Sequence, residues 1–269
     1  MGKCLICQSE TRFLGKNQGF NIYQCLGCGL GFTNELKSQI GDYHRDDEYV
    51  EEETLFKNIF LKRVNIISNI LKPGKVLEVG CSTGLMLSLL KSRGWDATGV
   101  EISQKAAQKA QDRGIKVISK PFENIEIKDK FDVVIFNHTL EHLENPISVI
   151  KKVYLMLKTR GLIFIDLPNF NSLSAKIRKN NWPLLLPNEH KWHFTLKSLK
   201  LLLEKEGFKV VFVDRSSGIW DYGNPLLGLS QSLINLKKRF LGEFFTALPT
   251  WIISSLGLGS DLMVIAKKR

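Results

Sequence analysis

The segment KVLEVGCSTG, residues 75–84, constrains the fold more than any other stretch of this chain. Val76-Leu77-Glu78-Val79 is a buried-strand run, the turn after it carries Gly80 and Gly84, and an apolar helix pattern follows from Leu85 to Lys91. Strand, glycine-bearing turn and helix form the opening unit of a doubly wound α/β sheet, where a nucleotide-bearing ligand meets the strand ends. Two glycines alone specify little. The next run, Trp95 to Val100, adds weight because it leads to Glu101, about twenty residues beyond the turn, where a carboxylate can accept from both hydroxyls of a ribose. The length of 269 residues allows one well-cored domain plus a small module, and 43% apolar with 24% charged residues excludes wholesale disorder.

The small module is written in cysteines. Cys4-x2-Cys7 and Cys25-x2-Cys28 are separated by seventeen residues. Each pair folds into a knuckle that aims two thiolates at one point, and two knuckles complete a tetrahedral Zn²⁺ site. Gly27 and Gly29 supply the backbone freedom the turns require. Phe13, Phe20 and Tyr23, around Gly15 to Gly19, read as a β-hairpin between the knuckles. With four thiolates no open position remains, so the metal is structural; two disulfides or four free thiols are the alternatives. Disulfides do not suit a cytoplasmic chain. A cytoplasmic chain is expected, because Cys4, Cys7 and Glu10 fall where a signal peptide needs its apolar core. Phe244 to Ser260, the longest uncharged stretch, is interrupted by Pro249 and is short for a membrane span.

After a ribbon of residues 1–40 comes a linker and leading helix, 41–72. Its acidic, tyrosine-bearing part, Gly41 to Glu53, reads as a linker or mobile cover. Residues 54–71 place Leu55, Ile59, Val64, Ile67 and Leu71 at helical spacing, and Lys72-Pro73-Gly74 ends the helix.

Over roughly residues 70–215 the chain resembles the class I S-adenosylmethionine-dependent methyltransferases, and the domain so implied is expected to run from 73 to 269. LEVGCSTG (77–84) is similar to the family's first motif and GVEIS (99–103) to its second. FDVVIFNHTLEHLEN (131–145) is similar to the fourth-strand motif, and YLMLKTRGLIFID (154–166) to the helix–turn–fifth-strand segment. The resemblance implies a Rossmann-like, seven-stranded α/β sheet with helices on both faces, and S-adenosylmethionine as cofactor. It implies that Glu78 orients the methionine end and that the backbone of Gly80, Cys81, Ser82, Thr83 and Gly84 contacts the cofactor, with Cys81 packing rather than attacking. Glu101 would bind the ribose, Ile102 would lie against the adenine, and Asn137 would sit beside the amino-acid moiety. Where the family often places an acidic residue for the adenine amine, this chain has Ser119 to Glu123, and Phe122 and Glu123 are the substitutes. A dinucleotide oxidoreductase would want a third glycine where Leu85 and Met86 stand.

Methyl transfer is an in-line displacement, so orientation and a base for the acceptor's proton are the main requirements. His138, Glu141 and His142 are spaced i, i+3, i+4 and are expected on one face at the start of the helix after the fourth strand. His190 and His193 lie in PNEHKWHF, residues 187–194. The Glu141-His142-Leu143 run is similar to that of quinone-biosynthetic O-methyltransferases; some of those hold a divalent cation there, but His138 replaces one of their carboxylates. These five are the catalytic candidates, against a reading in which the histidines shape the pocket or pack a turn before a helix capped by Thr195.

Residues 208–215 and 261–268 read as the sixth and seventh strands. The insertion between them, 218–260, carries Lys237-Lys238-Arg239 and then Phe244, Phe245 and Trp251. It suits a cap, a homodimer contact, or peripheral contact with a membrane surface. The net charge of +11 is uneven: residues 1–60 balance to −3, 61–150 to +3, and 151–269 to +11. A ribbon on the negative side is a poor RNA clamp, since phosphate contacts need Lys and Arg. The expected function is therefore methylation, foremost O-methylation, of a small molecule or a glycan or lipid-linked precursor. An rRNA base methyltransferase and a non-catalytic cofactor-binding regulator are the alternatives.

Overall fold

The computed structural model describes residues 2–34, 53–126, 128–234 and 239–269. The acidic stretch 41–52 and Lys237-Lys238 lie outside them. The chain divides into two compact units: the described residues of 1–43, 127–215 and 258–269 form one, and those of 44–126 and 216–257 the other.

In the first unit, strands β1 (Thr11–Asn17) and β2 (Phe20–Cys25) form the expected hairpin, and β3 (Gly31–Thr33) pairs antiparallel with β2. Cross-strand register places Phe13, Tyr23 and Phe32 in one row, with ring centroids 5.5 and 5.4 Å apart. Such pairs stabilise small sheets that have little core of their own.

The second unit begins with α1 (Glu53–Ile70), whose bounds match the helix expected at 54–71. It continues through β4 (Lys75–Val79), α2 (Leu85–Lys91), β5 (Asp96–Val100), α3 (Gln104–Asp112) and β6 (Lys116–Ile118), with the three strands parallel. Ser103 caps α3 by accepting from the Ala106 amide.

Back in the first unit, β7 (Phe131–Asn137) runs parallel to β8 (Leu157–Pro168). Val133 to Phe136 and Ile163 to Ile165 are fully buried, as near-continuous apolar strands covered on both faces should be. Between them lies α4 (Pro146–Met156). It starts at Pro146 because the Asn145 side chain accepts from the amides of Ile147 and Ser148 and proline occupies the first turn. The expectation that His138, Glu141 and His142 open this helix is therefore corrected: residues 138–145 form turns ahead of it. The chain continues through α5 (Leu173–Arg178), β9 (Trp192–His193), α6 (Leu196–Lys205) and β10 (Phe208–Asp214). Thr195 caps α6 in a reciprocal arrangement with Ser198.

The Trp192-His193 part of the run expected as a turn before a helix is instead the strand β9. It pairs Gly31 with His193 and Phe32 with Trp192, adding a fourth strand to the ribbon sheet, β1-β2-β3-β9. Gly31 must be glycine, since a Cβ there would lie 2.6 Å from the Phe170 ring. Ile22 packs in one cluster with Phe170, Ala175, Trp182 and Leu185.

Residues 216–257, in the second unit, hold a short 3₁₀ turn (Gly218–Asp221), α7 (Pro225–Ile234) and α8 (Arg239–Ser255). α1 anchors them. Arg63, 1% exposed, donates to the Asp221 carboxylate at 2.8 Å and to its carbonyl at 3.0 Å; Lys62 reaches Ser216 at 2.7 Å. The Asn58 side chain donates to the Asn224 carbonyl and accepts from its amide. The chain ends in β11 (Asp261–Lys268), antiparallel to both β8 and β10 as expected. The seven-stranded sheet has the order β10-β11-β8-β7-β4-β5-β6.

Candidate functional site

Three constellations carry the candidate residues. The first is the turn between β4 and α2, in the second unit. The amides of Gly80 and Cys81 donate to the Val100 carbonyl at the end of β5. The Ser82 and Ser103 amides each donate to one oxygen of Glu101, both at 2.8 Å, fixing the carboxylate while leaving lone pairs for a ligand. Gly84 has φ +72°, and a Cβ there would lie 2.8 Å from that of Ala110, so the turn approaches α3 as only glycine permits. Glu78 is buried and its Oε2 has no hydrogen-bond partner. Burial and the neighbouring Glu101 hold its pKa well above the usual carboxylate range. Cys81 packs under Gly99, and burial, with Glu78 and Glu101, raises its thiol pKa further. Ile102 is 44% exposed beside Glu101, Phe122 is buried and Glu123 is exposed. Thr83 is buried as well.

These residues fit S-adenosylmethionine. A carboxylate held by two amides suits a ribose diol, an exposed aliphatic side chain next to it suits a purine face, and a buried carboxyl without a donor suits an ammonium.

The second constellation lies in the first unit. Asn137 ends β7 with its Oδ1 buried and without a partner. His138 follows at φ +50°, a strained backbone for a residue with a Cβ. Its ring lies 3.6 Å from the Glu141 carboxylate and 3.9 Å from that of Asp261. The ring is 39% exposed; its partial desolvation opposes the imidazolium, but Glu141, Asp166 and Asp261 outweigh that and raise the His138 pKa to about 9. Glu141 is 1% exposed; burial opposes its charge, yet His138, His142 and His190 hold it at about 2. Burial depresses His190 to about 4 and His193 to about 3, so both rings are neutral at pH 7.

The structure draws His142 and His190 together, with ring centroids 4.8 Å apart. The Glu141 carbonyl accepts from the amides of Lys191 and Trp192, tying the turn after β7 to the segment before β9. His193 is engaged differently. The Thr33 hydroxyl donates to the His190 carbonyl at 2.9 Å, so the His193 Nε2 at 3.0 Å donates to Thr33. His193 thus fastens the ribbon, a role that only the pairing of β3 with β9 exposes.

The third constellation is the four cysteines. The Sγ atoms of Cys4 and Cys28 lie 3.6 Å apart and those of Cys7 and Cys25 3.3 Å, with all four within 4.8 Å and none in a disulfide. The amides of Gly27 and Cys28 point at the Cys25 sulfur, as they do when they stabilise a thiolate. Hydrogen bonding from Cys28 lowers Cys4 to about 5. Four converging sulfurs, one already thiolate-like, fit a closed tetrahedral Zn²⁺ site.

Fold and site together define a class I S-adenosylmethionine-dependent methyltransferase. The chain belongs to the methyltransferase-domain family, whose model matches residues 52–213. It is 31% identical over 136 residues to an uncharacterised protein of Methanocaldococcus jannaschii, covering 49% of this chain and 64% of that one. It is 33% identical over 105 residues to the ubiquinone biosynthesis O-methyltransferase of Pseudomonas putida, covering 36% and 45%. The chain thus spans less than two thirds of the length of these curated relatives. Among solved structures, a methyltransferase of Thermotoga maritima, described as a possible histamine N-methyltransferase, superposes with a TM-score of 0.58 at 21% identity, covering 83% of this chain and 95% of that one. The plantazolicin methyltransferase BamL, in complex with a triazolic desmethylPZN analog and SAH, gives 0.55 at 20% identity, covering 83% and 88%. Both share its fold.

Proposed function

We propose that this chain is a cytoplasmic enzyme that transfers a methyl group from S-adenosylmethionine to a hydroxyl of a small molecule or of a glycan or lipid-linked precursor. The observation that carries the reading is the Glu101 carboxylate, held by two backbone amides at the end of β5 and facing a glycine turn. When bound, S-adenosylmethionine supplies a methyl group on a positively charged sulfur. Glu101 accepts from the ribose hydroxyls, Ile102 covers the adenine with Phe122 and Glu123 near its amine, and Glu78 takes the methionine end. The backbone of residues 80–84 follows the cofactor. His142, half-buried, takes the acceptor's proton, while Glu141 and His138 set its surroundings and His190 and His193 hold the segment opposite the turn. Cys4, Cys7, Cys25 and Cys28 bind structural Zn²⁺. Isothermal calorimetry tests the cofactor reading: the wild type binds one equivalent of S-adenosylmethionine, and Glu101→Ala weakens it by about tenfold or more, the loss of a charge-assisted hydrogen-bond pair.

Glu78 gives this reading a pH signature. Burial and the neighbouring Glu101 raise its pKa in the free protein, so it keeps its proton to higher pH than an ordinary carboxylate. An ammonium placed against it favours the carboxylate, so binding releases a proton and affinity rises with pH until the free-protein pKa is passed. Calorimetry in buffers of differing ionisation enthalpy should report net proton release, abolished in Glu78→Gln. Release unchanged in that variant contradicts the role.

Among the described residues no helix is long and apolar enough to cross a membrane. Yet Phe244, Phe245, Leu248, Trp251 and Ile252 of α8 are exposed, following the basic run at 237–239. That combination supports contact with an anionic membrane surface, suited to a lipid-linked acceptor. Vesicles containing anionic lipid should co-sediment the protein at low salt, and Phe245→Glu with Trp251→Glu should abolish this. Equal binding by the double variant sinks the idea.

A further inference from the structure

Of the four converging cysteines, Cys7 is the one that meets solvent. Cys4, Cys25 and Cys28 are buried, whereas Cys7 is half-buried. Gly27 keeps its sulfur uncrowded: a Cβ there would lie 3.3 Å from the Cys7 Sγ. The Cys25 sulfur stands 3.3 Å from that of Cys7, the shorter of the two close sulfur pairs. Cys25 is also prepared as a nucleophile, because the amides of Gly27 and Cys28 point at its sulfur from 3.3 and 3.4 Å. An accessible thiolate beside a second one that can attack it is the arrangement of redox-sensing cysteines. The fifth cysteine offers a contrast. Cys81 is buried and its thiol pKa is raised, which makes it inert.

We infer that the thiolate site of the ribbon is also a peroxide-sensitive switch, in which Cys7 is oxidised first, Cys25 closes a disulfide with it, and the metal is released. In the first step hydrogen peroxide gives one oxygen to the Cys7 sulfur. The O–O bond breaks, the sulfur gives up two electrons to form a sulfenic acid, and hydroxide leaves. In the second step the Cys25 thiolate attacks the Cys7 sulfur, so that an S–S bond forms, the S–O bond breaks and a second hydroxide leaves. Two protons from solvent convert both hydroxides to water. The two sulfurs need only close from 3.3 Å to about 2.0 Å, a side-chain movement. Cys4 and Cys28 then remain where a closed tetrahedral site needs four ligands, so the ion is lost. In a reducing compartment such a disulfide is transient, and a thiol reductant with Zn²⁺ resets the site. The switch has an output because the ribbon is joined to the segment that carries His190: β3 pairs with β9, and Thr195 donates to the Cys28 carbonyl. Its effect on methyl transfer rests on the function proposed above; the thiol chemistry does not.

The test exposes the zinc-loaded full chain to hydrogen peroxide while a chromophoric chelator reports free Zn²⁺; alkylation and peptide fragmentation then map the cysteines. The wild type should release its ion as a Cys7–Cys25 disulfide forms, with Cys81 still reduced, and reductant plus Zn²⁺ should restore it. Cys7→His keeps a ligand, since three cysteines and one histidine also hold Zn²⁺, and should release the ion about tenfold more slowly. If that variant does not hold zinc, the cysteine map of the wild type decides alone. Equal release from wild type and zinc-loaded Cys7→His overturns the inference, as does a disulfide joining a different pair, or zinc lost with overoxidised sulfur and no disulfide. Transfer and cofactor binding on the same samples keep the two readings apart. The oxidised protein should transfer methyl groups about tenfold more slowly yet bind S-adenosylmethionine within about twofold of the reduced one. Unchanged transfer overturns the switch. Cofactor bound by neither form rejects the methyltransferase reading alone, and the mapped disulfide still decides the thiol chemistry.

Discussion

Replacing Cys25 by Ser should strip the thiolate-bound metal and cut methyl transfer by about tenfold or more, while the affinity for S-adenosylmethionine stays within about twofold of wild type. Structural zinc contributes roughly 10–16 kcal/mol to small ribbons, as much as or more than the roughly 5–15 kcal/mol that keeps a whole domain folded. Without it the ribbon cannot hold its sheet. The consequence reaches the histidines because the ribbon is built into the first unit. β3 pairs with β9, the Thr33 hydroxyl holds the His190 carbonyl and accepts from His193, and Thr195 at the head of α6 donates to the Cys28 carbonyl at 3.1 Å. Lys197 and Lys205 reach the carbonyls of Gly27 and Ile6 at 2.6 and 2.5 Å. Loss of the metal therefore loosens the segment that carries His190, whereas Glu78, Gly84 and Glu101 lie in the other unit. Metal analysis, calorimetry and a transfer assay on one preparation check this. Full activity in a metal-free Cys25→Ser protein contradicts it.

Arg63→Ala should cost roughly 3 kcal/mol of stability, a loss set by the charge it strands rather than by the contact it removes. Arg63 is 1% exposed and donates at 2.8 Å to Asp221, itself nearly buried. Removing the guanidinium leaves that carboxylate with Lys62 at 3.8 Å and the Ser216 hydroxyl at 3.2 Å, too little to replace a bonded cation. For a domain of this size the melting temperature should fall by roughly 6–12 °C. Arg63→Met combined with Asp221→Leu should recover most of the loss, since a buried pair is worth little against apolar side chains of similar volume. A single variant within about 1 kcal/mol of wild type contradicts the assignment of this pair as the anchor of residues 216–257.

The difference between what was and was not legible in the sequence follows the range of the forces involved. The Glu78–Gly84 turn, the strand to Glu101 and the paired cysteine knuckles are local, so spacing and residue type disclose them. The closing antiparallel pair, β10 and β11, could be read because alternating and continuous apolar runs mark strands whatever their partners. The i, i+3, i+4 spacing of His138, Glu141 and His142 suggests a helix start that the backbone does not make; Asn145 and Pro146 place the start later, and that cap is the signal in the sequence that marks it. β9 is two residues long and exists through its pairing with β3, more than 150 residues away. Its only trace was the strand-prone Trp192-His193-Phe194 run. Arg63 and Asn58 sit on α1 as polar residues on a nominally apolar face, and nothing short of the partner residues at 216–224 shows that they are buried.

The most direct test of the central claim is to incubate the purified protein with methyl-labelled S-adenosylmethionine and a cell extract, then separate RNA, lipid and small molecules. The fold, the Glu101 cradle and the histidine cluster predict label in the small-molecule or lipid fraction, lost in Glu101→Ala. Label in RNA, or in no fraction at all, contradicts it.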